Sequence, residues 1–430
     1  MKILIRGANV LLFENEEAVI KEADIAIQDG RIKSVGSASA DFSPEKTIDA
    51  KGMIAMPGLI NTHTHIPMSL LRNYADDMAF WEWLQEKVWP IEAKMNEEDI
   101  YWGSMLSISE LIMSGTTCFN DMYRFADVVA KSMADTGIRG AVSNTLFDMM
   151  RNEDRDFERA IEIHRQWHGA SNGRISTFIS PHAPYTCSDD YLKGAAETAK
   201  RLGVPLHTHI SESTREVEES IRDFGKSPVQ RLYDIGLFDV HTMAAHCVHL
   251  SDDDMEMMSE KGVSVLNNPT SNLKLGNGFA PISRLMEKGV NVSLGTDGAC
   301  SNNNQDMFEE INLAALINKG VTGDPLAVPS KTAVKMATIN GAKAMGLEKS
   351  IGSIEEGKKA DIILIDTEEP HFYPKYNLIS SLSYCAKASD VDTVIVDGKI
   401  LMEKRVLTTI DIEMVKSKVN DSVKRLMSSI

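Results

Sequence analysis

Cysteine is scarce in this sequence: five residues in 430 (Cys118, Cys187, Cys247, Cys300 and Cys385), odd in number and without a CxxC pair. That excludes a disulfide framework and a zinc ribbon and fits reduced thiols, with Cys247 read as a buried, inert one. Long apolar runs are missing too, so no segment approaches the roughly 20 residues that span a bilayer, and no membrane partner is expected. The opening apolar stretch Met1–Arg6 is cut by Arg6 and then by acids, so no signal peptide is expected and the chain is placed in the cytoplasm. Basic charge is the minority sign: 45 Lys and Arg face 62 Asp and Glu, a formal net charge of −17. Phosphate backbones need basic patches, so a nucleic-acid polymer is excluded as partner, and the acidic surface is read as an aid to solubility.

What is present is a chain longer than one core usually supports, about 250–300 residues, so a large domain with a smaller companion is expected. Segments Lys2–Phe13 and Asp24–Val35 are β-rich, with Asp29-Gly30 as a hairpin signal. The same texture returns at Asp361–Asp366 and Val391–Met402, where Asp397-Gly398 supplies another turn. Neither set makes a core alone, so the two are expected to pack as one small β-sandwich, residues 1–56 plus 350–430. The amphipathic helix Ile410–Met427 is expected to lie on that sandwich or on a neighbouring subunit. Between these ends, short apolar strands alternate with helical stretches such as Asp99–Ser114 and Asp189–Leu202. The strands are Gly58–His63, Thr116–Asp121, Ile138–Leu146, Ile175–Pro181, Pro205–Ile210, Thr242–Cys247, Val263–Leu266 and Val290–Thr296. Such alternation predicts an α/β fold, a (β/α)8 TIM-like barrel over residues 57–349.

Barrels of this kind carry their chemistry at the carboxyl ends of the strands. The first strand ends in His63-Thr64-His65; side chains two apart share a face, so both imidazoles point the same way. Alone, such a pair is as readily two satisfied core histidines as half a metal site. The other strand ends decide. They carry His182, then His207 and His209 followed by Glu212, then His246, then Gly295-Thr296-Asp297-Gly298. Six of the 11 histidines fall at these ends, whereas His164, His168, His241 and His371 read as surface or loop residues. Three neutral imidazoles and a carboxylate suit one divalent ion, zinc first, with Fe2+ or Mn2+ compatible. The assignment is His63, His65, His209 and Asp297. Alternation does not separate His207 from His209; the latter is nearer the strand end and is preferred. An ion of this type lowers the pKa of its water to about 7. His246 and Asp297 are placed to orient that water and take its proton, and Glu212 to pass a proton to substrate. The competing reading of Glu212 is one more exposed acid in the charged run Glu212–Glu219.

Several stretches together resemble a known family: Pro57-Gly-Leu-Ile-Asn-Thr-His-Thr-His65, Pro181-His-Ala-Pro-Tyr185, His209-Ile-Ser-Glu212, Ser271-Asn-Leu-Lys-Leu-Gly276, Leu294-Gly-Thr-Asp297 and Gly352-Ser-Ile-Glu-Glu-Gly-Lys. The chain resembles the amidohydrolase superfamily over nearly its whole length, and within it the 5′-methylthioadenosine/S-adenosylhomocysteine deaminase family. The resemblance implies hydrolytic loss of the 6-amino group of adenine nucleosides (5′-methylthioadenosine, 5′-deoxyadenosine, adenosine, S-adenosylhomocysteine), giving the inosine analogue and ammonia. It implies that Glu92 holds the ribose hydroxyls, that His182 and Ser301 contact the purine, and that Glu212 protonates the ring nitrogen beside C6. Trp83 is implied to lie over the nucleoside. It also belongs to a stripe with Phe80, Trp81, Leu84, Val88 and Trp89 at helical spacing, which reads equally as a buried or subunit-facing surface. Segment Ile175–Pro181 lacks the lysine that two-metal relatives carbamylate, so one ion is expected, and family habit implies a homo-oligomer.

One departure stands out. Where relatives that take the homocysteine conjugate carry a carboxylate-binding arginine, late in the third strand, this chain has Asn144. A neutral amide cannot supply a charge-assisted pair worth about 1.5–3 kcal/mol, so uncharged 5′-groups are expected to be preferred unless Arg151 or Arg155 compensates. The competing enzyme is an aminohydrolase or chlorohydrolase of another heterocycle (guanine, a pterin, cytosine, a triazine), separated from the first by ribose recognition at Glu92. A non-catalytic, metal-stabilised scaffold has no need of Glu212 or His246.

Overall fold

Eight parallel strands wind around one axis. The computed structural model describes residues 1–15, 17–39, 41–148 and 153–428, with 153–155 given by backbone alone. Its barrel strands are Leu59–Thr64, Thr116–Tyr123, Arg139–Leu146, Ile175–Thr177 continued by Ser180–Pro181, Leu206–Ile210, Thr242–His246, Ser264–Asn267 and Asn291–Leu294. The first four pair in chain order, as do the last four, and an Ile179–Leu206 bridge joins the two sets. The eighth strand closes on the first: Thr62 Oγ1 donates to Leu294 O at 2.8 Å, Asn61 Nδ2 to Thr296 Oγ1 at 2.7 Å, and Asp297 N to His63 O at 2.9 Å. That seam accounts for two polar residues buried inside an apolar strand, since a buried polar group persists where it is paired.

Capped helices bring the chain back outside. Helix Glu97–Met113 starts at Asn96, whose side chain accepts from Asp99 N (3.1 Å) while Asp99 Oδ2 accepts from Asn96 N (2.8 Å). Helix Asp189–Leu202 runs from a Ser188 cap to a left-handed Gly203.

A nine-stranded sheet joins both ends of the chain. Val406–Leu407, Lys399–Glu403, Val391–Val396, Ile362–Ile365, Ile54–Pro57, Lys2–Glu14, Glu17–Gln28 and Arg31–Gly36 lie in that order, with Lys46–Asp49 on Lys2–Glu14. Ile54–Pro57 is the hinge of the arrangement, antiparallel to Ile362–Ile365 and parallel to Lys2–Glu14. Asp29-Gly30 and Asp397-Gly398 make the tight turns, with φ of 53°, 77°, 50° and 72°, the left-handed values a type I′ hairpin demands. Alternate residues of Ile362–Ile365 serve two cores: Ile362 and Leu364 pack with Ile5, Ile25 and Ile27, and Ile363 and Ile365 with the main core around the barrel. A strand covered on both faces reads as an unbroken apolar run. Arg139, opening the third barrel strand, pins this sheet to the barrel through a buried fork on Asp361, Nε–Oδ2 2.6 Å and Nη2–Oδ1 3.0 Å.

The last helix departs from expectation. Ile412–Met427 packs chiefly on helix Glu97–Met113, burying Val415 and Leu426 and pairing Arg425 with Asp99, rather than on the terminal sheet. Among the described residues no helix is long and apolar enough to cross a membrane.

Candidate active site

His63 and His65 leave the first strand on one side, and their surroundings fix which nitrogen faces inward. His65 Nδ1 donates to Met122 O at 2.6 Å and His209 Nδ1 to His182 O at 2.7 Å, so each ring holds a proton on Nδ1 and turns its Nε2 to the centre. Those two Nε2 atoms face each other at 3.4 Å. Asp297 Oδ1 stands 3.4 Å from His63 Nε2 and 3.2 Å from His65 Nε2. Among the described residues His63 Nε2 is buried without a hydrogen-bond partner. Lone pairs converging beside an orphaned buried nitrogen lack what a cation supplies, so the donor set fits a zinc-like ion.

Electrostatics agree. Burial drives His63 down to about 3 and His209 well below the usual imidazole range, which keeps both neutral. Burial acts the same way on His65, but the hydrogen bond and charge of Asp297 outweigh it and carry that ring up to about 9. A positive charge is therefore favoured where these groups meet. His207 sits against the other side of His63, Nε2 to Nδ1 at 2.8 Å, with Asn120 Nδ2 3.1 Å from its Nδ1. His246 forms a second ligand-like triad with His63 and His209. Its Nδ1 meets Asn272 Oδ1 at 2.8 Å, and its Nε2 lies 3.7 Å from Glu212 Oε2.

Backbone strain gathers at the same strand ends. Ser211, His246 and Asp297 have φ of 52°, 71° and 65°, a left-handed region that costs a non-glycine residue energy and persists only when the surroundings over-determine it. Asp297 is held there by Ser271 Oγ (2.6 Å) and Ser301 Oγ (2.8 Å), both donating to Oδ2. At Gly295 a Cβ would stand 2.6 Å from Asn268 Oδ1 and 2.8 Å from His63 N, so only glycine lets the eighth strand come this close to the first.

The two acids are driven in opposite directions. Burial, reinforced by the charge of Asp297, pushes Glu212 well above the usual carboxylate range. Asp297 is buried too, yet the close approach of the His63 and His65 imidazoles to its Oδ1 outweighs that and holds it well below. Glu212 is no exposed member of its charged run: it is 5% exposed, and its Oε1 accepts from Asn277 Nδ2 at 3.1 Å. Glu216, one turn on, accepts from the backbone N–H of Ser211 (2.9 Å) and Glu212 (2.8 Å) and so fixes the loop.

His65, His209, Glu212, His246 and Asp297 line a cavity of about 370 Å³, at the small end of the usual ligand-site range of about 300–1,000 Å³. Trp83, Glu92, His182 and Ser301 line it as well. Glu92 Oε1 accepts from Tyr123 Oη at 2.5 Å. His182 stacks on Phe147 with centroids 4.4 Å apart, its Nδ1 2.9 Å from Thr186 Oγ1. Trp83 is buried in the main core and stacked near Phe80 at 6.2 Å, and it also lines the cavity. Cys247 is buried, with its thiol pushed well up by burial. Asn144 stands opposite Tyr123 in the strand register and, among the described residues, its side-chain amide makes a 3.5 Å contact to Thr145 O; Thr145 lines the cavity. Arg151 lies outside the described residues, and Arg155 is described by its backbone alone.

Some residues of the site escaped the sequence reading. Tyr123 and Arg124 follow Asp121 at the end of the second strand, where the alternation applied to the histidines would have found Tyr123. Asn272 and Asn277, in and just after the Ser271–Gly276 stretch, had no assigned role.

The amidohydrolase family model matches residues 54–401. A 5-methylthioadenosine/S-adenosylhomocysteine deaminase of Thermoanaerobacter pseudethanolicus is 51% identical over 432 residues, 99% of this chain and 100% of that protein. One of the same name from Caldanaerobacter subterraneus subsp. tengcongensis is 49% identical over 430 residues, 99% of each. Among solved structures, an adenosine deaminase from Xanthomonas campestris with bound zinc superposes at a TM-score of 0.95 and 36% identity, over 99% of this chain and 98% of that one. An atrazine chlorohydrolase of Arthrobacter aurescens complexed with zinc reaches a TM-score of 0.91 over 98% of this chain and 100% of its own, but at 24% identity it speaks to fold alone.

Proposed function

Because this chain belongs to the amidohydrolase family, we propose that it hydrolytically removes the 6-amino group of adenine ribosides of the 5′-methylthioadenosine type, releasing ammonia and the inosine analogue. One observation carries the reading: two carboxyls facing one cavity whose surroundings drive them in opposite directions, Asp297 below and Glu212 above the usual carboxylate range, as a paired base and acid require.

His63, His65, His209 and Asp297 would hold one divalent ion, zinc by preference, with Fe2+ and Mn2+ compatible with the same donors. When bound, such an ion lowers the pKa of a water to about 7 and so supplies a nucleophile at neutral pH. Asp297 takes the water's proton while His246, oriented through Asn272, steers the oxygen toward C6. Glu212 gives its proton to the adjacent ring nitrogen, so no negative charge builds on the ring as C6 is attacked. Asp297 then passes the proton it took to the exocyclic nitrogen, the C6–N bond breaks to release ammonia, and the C6 hydroxyl proton returns to Glu212 as the carbonyl forms. His182 and Ser301 contact the purine, Glu92 accepts from the ribose hydroxyls, and Trp83 covers the nucleoside. Support for ribosides over bare heterocycles comes from Glu92, a carboxyl that Tyr123 orients within the same cavity.

Ammonia release and the ultraviolet change from an adenine to a hypoxanthine chromophore test the proposal on 5′-methylthioadenosine, adenosine, guanine and a chlorotriazine. Turnover is expected with the adenine ribosides alone and is lost on chelation. Preferential turnover of guanine or the triazine refutes it.

A further inference from the structure

We propose that Asn277 is a positioning residue for proton delivery: its amide donates to Glu212 Oε1 and so keeps the transferable proton on Oε2, the oxygen turned toward the site. The inference rests on the adenine-riboside reading above, in which Glu212 is the acid.

Asn277 is placed by a short helix that follows the seventh barrel strand. Pro269–Lys274 closes on a left-handed Gly276 (φ 69°), with Gly276 N donating to Leu273 O (3.1 Å) and Asn277 N to Asn272 O (2.9 Å). That pair of bonds is a Schellman close, which glycine permits at little steric cost. It ties Asn277 to Asn272, whose side chain meets His246 Nδ1. Ser271, next in line, donates to Asp297 Oδ2 at 2.6 Å. One short segment therefore touches Asp297, His246 and Glu212, the three groups that handle protons in the proposed reaction, while supplying no metal donor of its own.

At Glu212 the contacts distinguish the two oxygens. Among the described residues the hydrogen-bond partner of this side chain is Asn277, Nδ2 to Oε1 at 3.1 Å. Oε2 lies instead 3.7 Å from His246 Nε2. With Asn272 Oδ1 accepting from His246 Nδ1, that Nε2 turns a lone pair toward Oε2. A protonated carboxyl has one oxygen that only accepts and one that carries the hydrogen. Oε1 faces an N–H and is the acceptor; Oε2 faces a lone pair and carries the hydrogen. Asn277 is 8% exposed and is not among the described residues that line the cavity, so it acts through Glu212 and not on substrate.

The contact serves both ends of the transfer. The Oε2–H bond breaks as the ring nitrogen gains the proton, and the bonding pair stays on the carboxylate. The charge left on Glu212 then strengthens the bond from Asn277, since charge-assisted hydrogen bonds are about twice as strong as neutral ones. Competing readings are an amide turned to accept from Oε1 and a strut that only steadies the loop. Both would tolerate Asn277→Asp.

The test is a double-mutant cycle on kcat for 5′-methylthioadenosine. Asn277→Asp is nearly isosteric but offers acceptors alone, so it draws the proton onto Oε1. Its kcat should fall about tenfold to a hundredfold, as the strength of a hydrogen bond to a charged group predicts, with KM changed less than about threefold. In a Glu212→Gln background, where no proton is transferred, the same substitution should cost less than about threefold. Asn277→Leu removes the donor without adding an acceptor and should lose about threefold to tenfold, again only when Glu212 is present. That variant carries the test if Asn277→Asp does not fold. Near-wild-type kcat in Asn277→Asp, a larger loss with Leu than with Asp, or equal losses in the two backgrounds would overturn the inference. A wild type inactive on adenine ribosides refutes the proposed function itself, and this inference with it.

Discussion

Replacing Glu212 by Gln isolates the acid from everything else in the site. The side chains are nearly isosteric, so the contact with Asn277 (3.1 Å) and the fill of the cavity are retained, while the transferable proton is lost. A positioned general acid contributes about 10²–10⁴-fold, or about 2.7–5.5 kcal/mol of barrier. The loss should appear in kcat. KM should change less than about threefold, because the amide N–H still donates to the ring nitrogen but does not release its proton. The pH profile adds a second signature. Glu212 is pushed above its ordinary range by burial and by Asp297, and the working form is the protonated one. Wild-type kcat/KM therefore falls as pH rises through that elevated value, and the Gln variant lacks this basic limb. Steady-state deamination of 5′-methylthioadenosine over about pH 5–10 reads both effects. A variant that keeps more than about a tenth of wild-type kcat, or keeps the same basic limb, refutes the assignment of Glu212 as the acid.

Two further outcomes follow from the packing. Gly295→Ala places a Cβ 2.6 Å from Asn268 Oδ1 and 2.8 Å from His63 N, so His63 must move; bound metal after dialysis should drop at least about tenfold in affinity, and full retention contradicts the close-approach argument. Glu310 is buried and pushed from 4.5 up to about 8, so between those values the folded chain holds a proton that the unfolded chain has lost. Folding stability then falls as pH rises through that window and is level outside it; urea midpoints at either end should differ less in Glu310→Gln than in the wild type, and an equal difference would count against it.

The parts of the molecule that were legible in the sequence are those set by local periodicity. Strand alternation put His63 and His65 on one face, short apolar runs ending in His or Asp marked barrel strands, and Asp29-Gly30 and Asp397-Gly398 announced their turns. What stayed hidden depends on contacts between distant stretches. Asn61 and Thr62 looked like flaws in an apolar strand until the seam with Leu294 and Thr296 explained them. Glu92 was reached only through family resemblance, and nothing in the spacing ties it to Arg124, 32 residues later. The opposed shifts of Glu212 and Asp297 come from burial at the first and from the neighbouring His63 and His65 at the second, which no single segment reveals. The amphipathic last helix showed that it needed a partner, not that the partner was Glu97–Met113.

The central claim is that side chains from the first, fifth and eighth strands hold a single ion on which the chemistry depends. Stripping the protein with a chelator and titrating zinc back, while following ammonia release from 5′-methylthioadenosine, tests it directly. Activity should be absent from the stripped protein and rise in proportion to a plateau at one equivalent per chain. Full activity without metal, or a plateau only at two equivalents, would contradict it.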